Sequence, residues 1–169
     1  MRSTVPQNVL FATADLMDEY EAMTNCPVQF RSYGRRKAFH GPMATIRCRE
    51  DNGLVKAAVA EPGHGRVLVV DGGGSMHTAL VGDNVAGTAA GNGWAGIVVN
   101  GAVRDTAALA LIDIGVQALG TSPRRPSHQG VGESGVPVSC GGTVFFPGHW
   151  LFCDEDGVVM SPPEGFAGH

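Results

Sequence analysis

Long apolar runs are missing from this 169-residue chain. None approaches the roughly 20 residues that a bilayer-spanning helix needs, so no membrane partner is expected. The opening stretch, MRSTVPQNVLFATADLMDEY, lacks the apolar core of a signal peptide and soon turns acidic, which argues against a secretory leader and for the cytoplasm. Closely spaced cysteines are also missing. Cys26, Cys48, Cys140 and Cys153 are scattered with no CxxC pair, unlike a disulfide framework or a zinc site; free, buried thiols in a reducing compartment are expected. Positive charge is scarce as well, with 12 Lys and Arg against 16 Asp and Glu and a net charge of -4. A chain that grips phosphates is ordinarily basic, so no direct nucleic-acid partner is expected.

What is abundant is glycine. The 25 glycines are roughly twice the usual share and follow no Gly-X-Y period, which places them in turns and close backbone approaches. With 43% hydrophobic and 17% charged residues, the composition is that of a folded protein, and the length suits one domain spanning 1–169. Thr13 to Met23 reads as a short amphipathic helix and Met43 to Arg49 as a strand. Leu54 to Ala60 reads as a helix, and Arg66 to Asp71 as a strand buried on both faces. Asp83 to Ala90 follows as a helix, Ala95 to Gly101 as a second buried strand, Asp105 to Gly115 as a helix, and Val116 to Ser122 as a third strand. Pro123 to Glu133 is a polar loop. VPVSC, GTVFF, WLFC and GVVMS then read as a β-meander. The pattern predicts an α/β fold with a βαβαβ centre and flanking antiparallel strands.

In such folds ligands gather beyond the carboxyl ends of strands, where glycine turns meet helix starts. Two junctions have that form: Gly82-Asp83 leading into a helix, and Asn100-Gly101 leading to Arg104-Asp105. Each offers backbone amides, a helix dipole and an ionic side chain, suited to a small anion, and its carboxylate suits a hard divalent cation. Asp at a helix start is equally favoured by capping alone. Other patterns carry less. Gly91-Asn92-Gly93-Trp94-Ala95-Gly96 has the letters of a dinucleotide fingerprint but follows a helix and precedes a strand, the reverse of what that motif needs. Gly132-Glu133-Ser134-Gly135 is one residue short of a nucleophile elbow. The six His show no metal spacing, Arg35-Arg36-Lys37 is a thin basic run, and Asp154-Glu155-Asp156-Gly157 reads as a hairpin turn, with cation binding as the lesser alternative.

The stretches RVLVVDGGGSMHTALVGDNVAG, NGWAGIVVNGAVRD, DIGVQALGTSPRR and GVGESGVPVSCGGTVFFPGHWLFCDEDGVV together resemble the RraA-like family, which includes regulators of ribonuclease E and metal-dependent 4-hydroxy-4-methyl-2-oxoglutarate aldolases. The most specific element is Asp83, twenty intervening residues, then Arg104-Asp105. The resemblance implies a swivelling β/β/α-type fold assembled as a homotrimer with active sites between subunits. It implies that Asp105 ligates Mg²⁺ or Mn²⁺ and that Gly82, Asp83, Asn84 and Val85 form the substrate loop, the amides of Asn84 and Val85 gripping a pyruvyl carboxylate. It further implies that Asp83 holds a proton-shuttling water and that Arg104 binds the keto oxygen and stabilises an enolate. No lysine lies near these junctions for a Schiff base. The expected activity is therefore a lyase on short 2-oxo dicarboxylates, as 4-hydroxy-4-methyl-2-oxoglutarate aldolase, oxaloacetate decarboxylase or both. The alternative is a non-catalytic regulator that binds and inhibits ribonuclease E. Longer aldolases of the family donate a carboxylate from a C-terminal extension to the neighbouring site. Here Glu164 is the only acid after the last expected strand, and the resemblance is to the short form.

Overall fold

The computed structural model describes residues 10–162; Glu164 and the first nine residues lie outside them. In chain order the elements are α1 (Thr13–Glu19), β1 (Thr24–Cys26), β2 (Arg31–Ser32), β3 (Phe39–Arg47), α2 (Gly53–Ala60), β4 (Val67–Asp71), β5 (Ala79–Val81), α3 (Asp83–Gly91), β6 (Gly96–Val103), α4 (Thr106–Leu109), β7 (Gly115–Thr121), β8 (Glu133–Ser134), β9 (Val138–Cys140), β10 (Thr143–Phe145), β11 (Trp150–Cys153) and β12 (Val158–Met160). The main sheet runs β1-β12-β11-β3-β4-β6-β7-β2, with β5 added to β6 and β8 to β3. The contacts β3–β4, β4–β6 and β6–β7 are parallel, so their carboxyl ends share one rim of the sheet.

Every residue of β4 is buried, as expected of a strand covered on both sides. Alternation along it divides the interior. Leu68 and Val70 pack with Val55 and Val59 of α2 and with Val85, Ala86 and Ala89 of α3. Val67 and Val69 face Val138, Cys140 and Phe145 of the β9–β10 hairpin, together with Leu151, Cys153 and Val158. The domain is thus mixed α/β, with helices on one side of the sheet and a hairpin on the other. All four cysteines are free and buried. Burial, joined by the charges of Asp51 and Asp71, pushes the Cys48 thiol up to about 12, so the group stays protonated and unreactive.

Three expectations need correction. The helix expected over Asp105 to Gly115 is only Thr106–Leu109. After Ala110 the Leu111 and Ile112 amides reach back only to Ala108 and Leu109 and the turn tightens; Ile114 then enters the core, and β7 begins at once. The helix from Thr13 ends at Glu19, where Tyr20 is extended. The four C-terminal strands are not one meander: β9 and β10 form a separate two-stranded sheet, while β11 and β12 join the main sheet beside β3. The short strands β1, β2, β5 and β8 were not anticipated. As expected, GNGWAG lies between α3 and β6.

Candidate functional site

Strand β6 ends at Val103 beside β5, which ends at Val81. The two chain junctions that follow therefore meet at the carboxyl rim of the sheet. The Arg104 amide donates to the Val81 carbonyl at 3.0 Å, stitching one junction to the other. Asp105 adopts a left-handed backbone (φ 58°, ψ 43°), a conformation that Asp and Asn tolerate better than other side chains. That turn carries its carboxylate back across the neighbouring junction, where Oδ2 accepts the Asp83 amide at 3.1 Å. The Arg104 Nε lies 4.0 Å from the same oxygen. Gly82 makes room for this approach: a Cβ there would sit 2.6 Å from Asp105 Oδ2 and 3.3 Å from Arg104 Cγ.

At the start of α3 the first helical bond is donated by Ala86 to Gly82. The amides of Asn84 and Val85, one turn too early for an intrahelical partner, have no hydrogen bond among the described residues. They begin the helix that follows the junction braced by Asp105, with Asn84 exposed and Val85 largely buried. The residues singled out in the sequence, Gly82, Asp83, Asn84, Val85, Arg104 and Asp105, thus converge on one corner. Two unclaimed amides at a helix N-terminus with a guanidinium alongside make an anion-accepting surface.

Among the described residues no group of three or more His, Cys, Asp or Glu side chains converges to form a cage for a metal. The corner does suit a hard cation held mainly by water. Asp105 Oδ2 is engaged by Asp83, while Oδ1 has no hydrogen bond among the described residues, and a single carboxylate with a mostly aqueous shell is an ordinary mode for Mg²⁺.

Sequence reasoning passed over the segment after β7 as a polar loop. The Ser122 amide donates to the Val103 carbonyl at 3.0 Å, and the Ala79 amide donates to the Arg124 carbonyl at 2.9 Å. The Arg104 Nη1 reaches the Pro123 carbonyl at 3.5 Å. A second support is the buried pair Asp51-Asn52, which stands directly before α2. Burial pushes the Asp51 carboxyl up, but hydrogen bonds from Ser127 Oγ and the Gly53, Gln129 and Gly130 amides outweigh it and hold the group well below the usual carboxylate range. Asn52 Nδ2 donates to the Leu80 carbonyl at 3.1 Å, bracing β5 two residues before Gly82. Locally the pair only ends the polar run Arg49 to Asn52; the partners Leu80 and Ser127 lie tens of residues away.

The weaker patterns find structural roles. Asp154 accepts Thr13 N–H and Oγ1–H at 2.7 and 2.6 Å and the Asp156 and Gly157 amides; it closes its hairpin turn and caps α1. Ser134 is exposed on the two-residue strand β8. Arg36 pairs with Asp113 on the surface at 3.3 Å. No helix among the described residues is long and apolar enough to cross a membrane. A groove of about 540 Å³ opens at the other end of the sheet, lined by Met43, Leu54, Arg66, Leu68 and Trp94, and has no part in this corner.

A mixed α/β domain with an anion-accepting, oxygen-donor corner at the carboxyl rim of its parallel strands defines the class. The chain belongs to the RraA-like (Aldolase/RraA) family, whose model matches residues 13–160. It is similar to the RNA-processing inhibitor RraA from Thermus thermophilis (44% identity, 95% of this chain and 99% of that one, TM-score 0.89). It is also similar to a protein from Geobacillus kaustophilus named as S-adenosylmethionine:2-dimethylmenaquinone methyltransferase (41% identity, 89% and 94%, TM-score 0.86). A third similar structure is RraAS2 from Streptomyces coelicolor, an unusual member of the RNase ES inhibitor RraA family (30% identity, 80% and 70%, TM-score 0.68).

Proposed function

We propose that the chain is a divalent-metal-dependent lyase that cleaves short 2-oxo dicarboxylates through a pyruvate enolate, acting on 4-hydroxy-4-methyl-2-oxoglutarate, oxaloacetate or both. The observation that carries this reading is the meeting of Asp83 and Asp105 at 3.1 Å beside Arg104, with the Asn84 and Val85 amides left open. Asp105 would hold Mg²⁺ or Mn²⁺, which when bound supplies Lewis-acid polarisation of the substrate's oxygens. The Asn84 and Val85 amides grip the carboxylate next to the keto group. Arg104 donates to the keto oxygen and opposes the charge that grows there as C3–C4 breaks, the point at which stabilisation accelerates the reaction.

In the aldol cleavage the C4 hydroxyl passes its proton to the water held by Asp83 and becomes a carbonyl as the C3–C4 pair moves into the enolate. In oxaloacetate the same pair moves as CO₂ departs. Either way the enolate takes a proton at C3, which a water held by Asp83 can deliver. One corner therefore serves both reactions, and a homotrimer with the corner between subunits is the assembly this reading includes.

The test is oxaloacetate decarboxylation with Mg²⁺, after EDTA, and in Arg104→Ala and Asp105→Ala, with the metal-only background subtracted. A loss of about 100-fold or more in each variant, and loss on chelation, is expected. Background rates from a folded, metal-supplied protein that also leaves 4-hydroxy-4-methyl-2-oxoglutarate untouched would overturn the reading. That outcome favours the second reading, a protein that binds and inhibits ribonuclease E, which is supported by the 44%-identical relative named as an RNA-processing inhibitor. Inhibition of ribonuclease E that survives Arg104→Ala would mark it.

A further inference from the structure

A 2-oxo dicarboxylate brings two anionic ends. The corner as described meets one of them, at the Asn84 and Val85 amides, and the keto oxygen, at Arg104. The segment leaving β7 is built against this same corner. Ser122 is buried; its hydroxyl donates to the His77 carbonyl at 3.1 Å and accepts the Arg124 amide at 3.3 Å. This tight turn sets the Pro123 carbonyl against Arg104 Nη1 at 3.5 Å and the Arg124 carbonyl against the Ala79 amide at 2.9 Å. Ser122 to Arg124 is thereby fixed to both strands that deliver the site, β5 and β6.

The next side chains out are Arg124 and Arg125, both exposed, and neither has an ion-pair partner among the described residues, where the ion pairs are Arg36–Asp113, Arg47–Glu133 and Arg104–Asp105. In a chain of net charge -4, an adjacent pair of unpaired guanidinium groups begins one peptide beyond the carbonyl that Arg104 touches. Arginine is the side chain best shaped for a carboxylate, and both of these stand on the turn whose Pro123 carbonyl meets Arg104.

We infer that the Arg124-Arg125 pair reads the second carboxylate of the substrate, so that this corner selects oxo-dicarboxylates over oxo-monocarboxylates of the same length. The inference rests on the lyase reading and assigns specificity within that site.

The test is calorimetric titration of the full-length, Mg²⁺-supplied protein with 2-oxoglutarate and with 2-oxopentanoate, which differ by the far carboxylate. Wild type is expected to favour the dicarboxylate by about tenfold or more, the worth of a charged hydrogen bond. In Arg124→Gln/Arg125→Gln the ratio should fall to near one. Arg35→Gln/Arg36→Gln removes the same charge near the start of β7, at the opposite end of that strand, and should keep the ratio. An unchanged ratio in the first variant, or an equal fall in the second, overturns the inference while binding lost in Arg104→Ala leaves the lyase site standing. If neither acid binds wild type that still turns over oxaloacetate, the inference falls and the lyase reading stands.

Discussion

Asp105 combines two properties in one residue, an acidic side chain and a left-handed backbone. Removing the side chain tests both at once, whereas Asp105→Asn keeps a residue type that accepts this backbone and deletes only the charge. Asp105→Asn is expected to unfold within about 1 °C of wild type and to lose metal-dependent turnover. Asp105→Ala should lose the turnover and, in addition, about 1 kcal/mol, read as a fall of about 3 °C in a thermal melt. His40 makes a different prediction. It is buried, with Nε2 unpartnered among the described residues, its ring parallel to Phe152 at 5.5 Å and edge-on to Phe11 at 5.3 Å. Burial lowers its pKa, so the unfolded chain takes up the proton more readily. Its contribution to stability is therefore full above about pH 6.5 and declines as pH falls below that. Urea unfolding at pH 7.5 and 5.0 should show this decline, and His40→Phe should flatten it. At this scale the Asp83, Arg104 and Asp105 spacing was legible because it lies along the chain. The left-handed turn at Asp105 and the Pro123 contact were not, since both depend on which strands become neighbours.

Phe39 opens β3 and lays its ring across the first residues of two other strands. A Cβ on Gly96 would lie 2.3 Å from that ring and one on Gly115 2.0 Å, so β6 and β7 begin with glycine to let the aromatic through. Gly115→Ala is expected to cost about 2 kcal/mol through overpacking, measured by chemical denaturation. Phe39→Leu should recover part of the loss in a double-mutant cycle, because the two sites touch. The buried strands β4 and β6 were readable as elements because a continuous apolar run bounded by glycine has few other fates. The helix expected after Asp105 ends early although its apolar pattern is real, with Leu109 and Ile114 fully buried: beyond Ala110 the Leu111 and Ile112 amides reach back only three residues, to Ala108 and Leu109, and the tightened turn closes the helix. Strands of two or three residues, such as β2, β5 and β8, carry too little pattern to be seen. They exist only because longer neighbours offer them a ladder.

Taken whole, the molecule keeps its candidate site at one rim of the sheet and its closure at another. The site depends on β5, β6 and the Ser122 to Arg124 turn, all on the helix-covered, parallel part of the sheet. The sheet is completed at the far side, where β1 pairs with β12 and β12 with β11, which in turn lies against β3. Thr13 adds to this by reaching Asp154 across 141 positions of sequence. Family membership was legible from motifs spread over nearly the whole chain; this pairing of first strand with last was not, because nothing local announces it. It sets a timetable for synthesis. Cys26 pairs with Val158, so β1 leaves the ribosome well over a hundred residues before its partner and waits, at about 5–20 residues per second, on the order of ten seconds. During that interval β3, β4, β6 and β7 can already assemble, while α1 and β1 remain a nascent segment with an open edge, the part of the chain where a chaperone has most to protect.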